Sequence, residues 1–220
     1  MKSYFGALIG GALLCFAAAV CAPAAAAICA PAKLVHVEVV PISPAVDPAS
    51  FGAQPRNFYR LGSSKMRTEE ALDAPNGIHG LIVADEPDIW MVNLYDHTGK
   101  HIVDPGPTFN VKAPVLGANL PSKLMELEYG CEADYIAANA PTPVRSETLD
   151  GVTYDVFRVS AGSDAVEILE RPDSGIPTLI RYYHNGTVGF ALRYNVYQAG
   201  LPDDPSLFAK PSGIQYTEAH

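Results

Sequence analysis

PTLIRYYHNGTVGFALRYNVY, residues 177–197, is the stretch of sequence that decides the fold. Two runs rich in β-branched and aromatic residues are separated by Asn185-Gly186, a dipeptide that favours a two-residue hairpin turn because both positions accept a positive φ. In the second run, every other residue is apolar or aromatic: Val188, Phe190, Leu192, Tyr194 and Val196. The stretch therefore predicts an antiparallel hairpin with one buried face.

The sequence on both sides of this hairpin has the same β character. Short segments rich in β-branched or aromatic residues are separated by turn sequences such as Pro75-Asn76-Gly77, in which Asn and Gly favour tight turns. The spacing is typical of an antiparallel meander. The predicted strands cover residues 34–40, 57–61, 64–71, 80–84, 89–95, 100–104, 152–159, 166–170, 177–183 and 187–197.

Two short helices are predicted in the middle of the chain. Pro121 and Ser122 can begin the first helix, and apolar residues follow at a helical spacing before Gly130 ends it. A weaker helical pattern covers residues 132–139 and ends before Pro141. The sequence therefore predicts a mainly β fold (α+β) in which one or two short helices cover a sheet.

The first 27 residues have the features of a cleavable export signal. Lys2 precedes an apolar run over residues 5–20, and the small residues Ala25 and Ala27 suit signal peptidase. The apolar run is shorter than the roughly 20 residues of a membrane span, and we expect no other transmembrane segment. Cleavage is predicted near Ala27, give or take a residue or two. We expect a periplasmic protein, with secretion beyond the periplasm as the alternative.

The chain is acidic, with 15 Lys and Arg residues, 24 Asp and Glu residues and a formal net charge of −9. Removal of the predicted leader takes away one lysine and no acidic residue, which leaves 14 basic against 24 acidic residues. Nucleic acids and anionic membrane surfaces attract clusters of Lys and Arg. The composition therefore argues against both as partners.

Four cysteines are present, but Cys15 and Cys21 lie inside the predicted leader. Cys29 and Cys131 remain, and an oxidising compartment favours a disulfide between them. Because their spacing is far from the Cys-x-x-Cys of redox motifs, we expect a structural bond. It would close a loop of about 100 residues and stabilise the fold by about 4 to 5 kcal/mol on the chain-entropy account.

The predicted domain organisation is a leader, residues 1–27, followed by a single globular domain. Residues 28–56 form an N-terminal strand and a Pro-rich loop, which covers residues 41–55. Residues 57–220 form the antiparallel β domain.

Four short motifs resemble those of the LolA-like superfamily of bacterial envelope proteins. They are SKMR at residues 64–67, DIWMV at 88–92, LEYGCE at 127–132 and DPSLFAKP at 204–211. The resemblance implies a curved antiparallel β half-barrel that is closed by helices and has an apolar interior, which in some members receives acyl chains. The Pro-rich loop, the cysteine pair and the acidic balance differ from the lipoprotein carriers of this superfamily.

A set of apolar residues on the predicted strands is expected to face this interior. The set is Phe58, Met66, Leu81, Val83, Trp90, Val92, Phe157, Phe190 and Leu192. Arg67 lies beside it in sequence and is expected to act as a polar anchor, either for a lipid head group or for a helix carbonyl. Such a set forms an ordinary core or lines a ligand pocket, and the sequence leaves both open.

Catalytic and metal-binding motifs are weak. No Gly-x-Ser-x-Gly is present, so a hydrolase is only a remote alternative. His97 and His101 with Asp96 and Asp104 are ligand types that zinc accepts, but two histidines without a third fixed ligand are a weak signal, and a polar turn explains them better. We therefore expect no catalytic residue, no metal and no cofactor.

The sequence thus predicts an exported, non-enzymatic protein that binds an apolar ligand, a lipid or an acyl chain, in a β half-barrel. The alternative is an envelope interaction or structural module with a filled core, in which the Pro-rich residues 41–55 and the acidic surface contact another protein.

Overall fold

One sheet of twelve strands dominates the computed structural model, which describes residues 28–43, 46–117 and 119–219. The predicted signal peptide, residues 1–27, lies outside the described residues. The strands are β1 (Leu34–Pro41), β2 (Arg56–Leu61), β3 (Lys65–Glu70), β4 (Gly80–Asp85), β5 (Asp88–Asn93), β6 (Thr98–Val103), β7 (Arg145–Leu149), β8 (Val152–Ala161), β9 (Asp164–Glu170), β10 (Pro177–His184), β11 (Thr187–Leu201) and β12 (Gln215–Ala219). The helices of the described residues are α1 (Ser122–Met125), α2 (Glu132–Asn139) and three short 3₁₀-helices, Phe51–Ala53, Ala74–Asn76 and Pro205–Phe208.

The strands follow the order β12-β6-β5-β4-β3-β2-β1-β11-β10-β9-β8-β7 across the sheet. Neighbouring strands are antiparallel, with the exception of β12, which runs parallel to β6. Because β12 and β7 are the two edges, the sheet is open. The predicted mainly β class, a half-barrel with short helices, is confirmed.

The hairpin that decided the fold forms as predicted. β10 and β11 are joined by Asn185 and Gly186 at φ 49° and 78°, the two positive values that a type I′ turn requires. The strand of the N-terminal segment, β1, lies near the middle of the sheet between β2 and β11.

Three features differ from the sequence prediction. β7 was not predicted because its sequence, RSETL, has almost no apolar alternation, which an edge strand does not need. β12 is also short and polar, and it is held by β6. The first helix is shorter than predicted, since residues 127–129 leave it to pair with the backbone of Ala113 and Val115.

One face of the sheet, which we call the inner face, is partly covered by α1, α2 and the long connection between β6 and α1, which the structure describes over residues 104–117 and 119–121. We call these three segments the helical cover. Leu124 of α1, Ile136 of α2 and Val115 of the connection pack against strand residues such as Val37 and Ile180 in one core. The opposite, outer face is covered over β3 and β4 by the C-terminal segment, whose Phe208 is buried there. Both faces of the sheet therefore contribute to packing.

A buried ion pair fastens the connection to the inner face. The Arg60 side chain is 3% exposed, and its Nη1 lies 2.6 Å from Oε2 of Glu128. Its Nη2 donates to the carbonyl of Val111, and the same Glu128 oxygen accepts the backbone N–H of Ala113. β2, the connection and the residues before α2 thus meet at one guanidinium.

We predict that Arg60→Met lowers the free energy of unfolding by about 3 to 5 kcal/mol, because it leaves the Glu128 carboxylate inside the protein without its partner. Arg67→Met is the matched control, since Arg67 forms a partly exposed pair with Glu69 at the surface and its loss should cost about 1 kcal/mol or less. Urea denaturation monitored by circular dichroism measures both. Equal losses would contradict the assignment of Arg60.

A disulfide joins Cys29, just before β1, to Cys131, just before α2. Both residues are buried, and their sequence separation is 102. The bond therefore holds the helical cover to the strand beside the centre of the sheet.

We predict that the double variant Cys29→Ser with Cys131→Ser melts at a lower temperature, because the unfolded chain regains the freedom of a long loop, about 4 to 5 kcal/mol on the chain-entropy account. Differential scanning calorimetry with and without reductant measures the effect. Reductant should lower the melting temperature of the parent protein and leave the double variant unchanged. Two free thiols in the exported parent protein would refute the prediction.

Candidate functional site

A groove of about 1050 Å³ lies over the part of β2 to β6 and β12 that the helical cover leaves open on the inner face. Strand residues make up its lining, whereas α1, α2 and the connection pack over the other part of the face. The side chains that point into the groove are those of Arg56, Phe58, Thr68, Glu70, Ile82, Met91, Asn93, Thr98, Lys100, Gln215 and Thr217.

The register of the strands arranges these residues in rows that cross the sheet. Directly paired residues form the middle row, Phe58, Thr68, Ile82, Met91, Lys100 and Thr217. Neighbouring strands are about 4.8 Å apart, so four steps from Phe58 to Lys100 span about 19 Å. The part of this row from Phe58 to Lys100, which we call the track, follows the curved sheet, holds apolar residues and Thr68, and ends in Lys100 one strand before the edge strand β12.

The two neighbouring rows differ in polarity. Toward the helical cover, the row consists of Arg60, Met66, Ala84, Ile89 and Ile102, which lie outside the groove lining. Toward the open rim, the row is polar and consists of Arg56, Glu70, Gly80, Asn93, Thr98 and Gln215. The groove thus has a polar rim on one side, and on the other side it is bordered by a mostly apolar row that belongs in part to the core.

The charges of the groove are unevenly paired. At the rim, Nε of Arg56 lies 3.3 Å from Oε1 of Glu70. The Glu70 carboxylate rests over Gly80, where an added Cβ atom would come within 2.6 Å of Oε2, so a side chain at that position would displace the carboxylate. Lys100, in contrast, is exposed and forms no ion pair with any residue that the structure describes. Met91 beside it is 43% exposed, a large fraction for an apolar side chain.

The structure divides the apolar residues that the sequence suggested as one inward set. Phe58 lines the groove, and Met66, Phe157, Phe190 and Leu192 belong to the core beneath the helical cover.

The remaining four, Leu81, Val83, Trp90 and Val92, point to the outer face. There they pack with Ile214 and Tyr216 of the C-terminal segment. Successive side chains of a strand alternate between faces, so Ile82 rather than its two neighbours reaches the groove.

Arg67 also points to the outer face, where its Nη2 lies 2.7 Å from Glu69. Its neighbour Met66 lies on the inner face, and adjacent residues of a strand cannot share a face. The arginine that anchors a backbone carbonyl under the cover is Arg60, which sequence reasoning missed. Arg60 lies two residues after Phe58 in β2, so the alternation itself carried the signal.

A smaller apolar cavity of about 320 Å³ lies between the connection and the β10–β11 hairpin. Leu116, Leu120, Tyr182 and Phe190 are among its lining residues. The predicted site residue Phe190 is therefore close to empty space, but in a separate place from the groove that Phe58 lines.

Two acidic side chains are buried beneath the helical cover. Glu132, the first residue of α2, accepts hydrogen bonds from the hydroxyls of Tyr194 and Tyr197, and burial raises the pKa of its carboxyl. Glu170 of β9 is 8% exposed, and its Oε1 has no hydrogen-bond partner among the described residues. Burial, followed by the nearby charges of Glu132 and Asp155, raises the pKa of Glu170 to about 7.

The two histidines of the possible zinc turn lie apart. His97 occupies the turn at φ 59°, whereas His101 in β6 points to the outer face. The His101 ring contacts Asp88 through Nε2 and Glu218 through Nδ1, and these hydrogen bonds, that of Asp88 first, raise its pKa. The two carboxylates lie on opposite sides of the ring, so they do not converge on one ion. Among the described residues, no group of three or more His, Cys, Asp or Glu could hold a metal.

Neither of the serines in turn sequences contacts an imidazole. The hydroxyl of Ser163 lies 3.4 Å from Asp164, and that of Ser174 lies 3.2 Å from Asp173. Asp164 also accepts hydrogen bonds from Tyr182 and His184. Ser163 and His184 thus both contact the Asp164 carboxylate, and Ser163 has no base beside it among the described residues.

These features define the class of the protein as an open antiparallel β half-barrel with short helices on its inner face. In fold, the chain is similar to an uncharacterized conserved protein from Thermus thermophilus, with a TM-score of 0.50 and 11% identity over 86% of this chain and 91% of that chain. It is also similar to the MucA/MucB complex structure of Pseudomonas aeruginosa, with a TM-score of 0.42 and 13% identity over 83% of this chain and 57% of that chain. No protein-family model matches the sequence, and no curated protein matches it.

Helices of membrane-spanning length and apolarity do not occur in the described parts of the chain.

We predict that Glu170→Gln changes the pH dependence of stability. A carboxyl whose pKa is raised in the folded state contributes stability below its unfolded pKa of about 4.5 and loses it as the pH rises through about 7. The variant should therefore match the parent protein near pH 5 and exceed it at pH 8 by on the order of 1 to 3 kcal/mol. Urea denaturation at both pH values measures this, with the exposed Glu126→Gln as the control. A pH-independent difference would contradict the assignment.

Proposed function

We propose that the protein is an exported, non-enzymatic half-barrel of the LolA-like type that binds the acyl chain of a lipid, or a similar apolar ligand, in the inner groove. The observation that carries the proposal is the track from Phe58 to Lys100, on which the apolar side chains of Ile82 and Met91 line the groove. Met91 is exposed on this track next to Ile82, so apolar surface within the groove remains in contact with water.

The dimensions of the groove suit one acyl chain. Half of the roughly 30 Å hydrocarbon core of a bilayer, about 15 Å, is the span of one chain, which fits within the track of about 19 Å. Each methylene group that is removed from water contributes about 0.8 kcal/mol, so partial burial of a chain gives useful affinity without any reactive group. The polar rim would keep the other edge of the ligand in contact with water.

The sequence and the fold support an envelope protein of this type. The leader predicts export, and the Cys29–Cys131 bond suits an oxidising compartment. In the LolA-like DPSLFAKP motif, Pro205–Phe208 forms the 3₁₀-helix whose buried Phe208 covers the outer face, so the motif serves the fold rather than the groove.

A second candidate function is an envelope interaction module. The filled half of the inner face, where Leu124, Leu127 and Ile136 occupy the interior beneath α1 and α2, favours it. On this account the groove would receive a segment of another protein. A pull-down from a periplasmic extract separates the two candidates, since a lipid carrier needs no stoichiometric protein partner.

We predict that Met91→Gln weakens acyl-chain binding about fivefold, because it removes roughly 1 kcal/mol of apolar contact from the middle of the track. Met125→Gln is the matched control, since Met125 is similarly exposed, at 38% against 43%, but lies on α1 away from the groove. Native mass spectrometry and titration with a fluorescent fatty acid measure bound ligand and affinity.

The result that would overturn the proposal is equally specific. If the exported protein carries no lipid and binds no added fatty acid, or if the two methionine variants bind equally, the groove is not an acyl-chain site.

A further inference from the structure

We propose that the groove selects amphiphiles with an anionic head group and that Lys100 is the residue that pairs with this head. The inference rests on the proposed function, because it concerns the ligand of the same groove. It adds a chemical class, a single apolar chain that ends in a carboxylate or a phosphate.

Lys100 is the cation of the groove that the described residues leave unpaired. The other cationic side chain in the lining, Arg56, is neutralised by Glu70 at 3.3 Å. Glu218, which neighbours the Lys100 partner Thr217 in β12, points to the outer face, where it contacts His101. No carboxylate among the described residues lies within ion-pair distance of the Lys100 amine.

Two of the polar side chains near Lys100 already form hydrogen bonds. The Asn93 amide donates to the carbonyl of Gly77 and its oxygen accepts the N–H of His79, while the Thr98 hydroxyl donates to Asp96. An incoming anion therefore meets the ammonium of Lys100 as its available charged donor. The chain as a whole carries a formal charge of −9, so Lys100 is a local positive charge on a protein that is negative overall.

The position of Lys100 fits the polarity of an amphiphile. It lies at one end of the track, after the apolar residues Phe58, Ile82 and Met91, on neighbouring strands of the same face. A head group at Lys100 places the tail along the track toward Phe58, over about 19 Å. The reverse orientation would bring the head beneath the helical cover, where Tyr129 stacks on Phe58.

The test compares three amphiphiles with the same twelve-carbon tail: dodecanoate, dodecyl phosphate and dodecyltrimethylammonium. Isothermal titration calorimetry at low salt, below the micelle concentration of each, gives the affinities. We expect one or both anionic ligands to bind about threefold to fivefold more tightly than the cationic one, the size of effect that an exposed ion pair supports. Comparison of the carboxylate with the phosphate identifies the preferred head.

Lys100→Gln should abolish this preference without abolishing binding, and Lys100→Arg should retain it. Lys112→Gln is the control, because Lys112 is exposed and lies outside the groove lining. Added salt should reduce the preference of the parent protein and leave Lys100→Gln unaffected.

The possible failures are distinguishable. Equal binding of all three amphiphiles, or a preference that survives in Lys100→Gln, overturns the role of Lys100 while acyl-chain binding stands. Absence of binding for every amphiphile overturns the proposed function, and the head-group inference falls with it.

Discussion

The ion pair between Arg60 and Glu128 is the interaction on which the division of the inner face depends. It fixes the connection over one part of the sheet, so that the other part stays open. β2 passes from the covered part to the open part of the inner face within five residues. Arg60 lies under the cover, Phe58 lies at its boundary beneath Tyr129, and Arg56 lies at the open rim of the groove. The groove is therefore a consequence of where the cover ends, rather than of a gap in poorly packed residues.

Removal of two charges from water is costly, and further hydrogen bonds offset part of this cost, while Nε of Arg60 has no partner among the described residues. The guanidinium reaches the Val111 carbonyl, and the Glu128 carboxylate accepts the Ala113 N–H. The Cys29–Cys131 bond holds the same region covalently. Because the ion pair and the disulfide both hold the cover in this region, we expect the cover to stay in position. The groove should therefore be present before any ligand binds. A preformed site loses less free energy to ordering when it binds.

The sequence predicted where most strands and helices lie, but it predicted much less well which face of the sheet each side chain occupies. The Asn185-Gly186 turn, the strands around it and α2 follow from local rules of turn geometry and propensity, and the structure agrees with them. β4, however, reads Leu-Ile-Val-Ala at residues 81–84, which is apolar on both faces, so the alternation alone could not tell the groove from the outer face. Trp90 was expected in the interior as one of the apolar strand residues, yet it packs on the outer face with Ile214 and Tyr216, which are more than a hundred residues away in sequence. β7 was missed because edge strands need no apolar face. Met91 and Lys100 could not be singled out, since exposure within a groove depends on what fails to cover them.

The composition of the groove indicates that the apolar tail and the charged head of a ligand contribute differently to binding. Its floor includes Thr68 and Thr217 beside the apolar residues, so it should hold an acyl chain with moderate affinity and little regard for its detailed shape. Met91, which is flexible and polarisable, suits such a floor because it adapts to different chains. The charge of the head group should matter more, because the net negative charge of the protein disfavours anions and an unpaired cation such as Lys100 attracts them. The chain would then supply most of the binding free energy, and the single lysine at the end of the track would supply most of the discrimination.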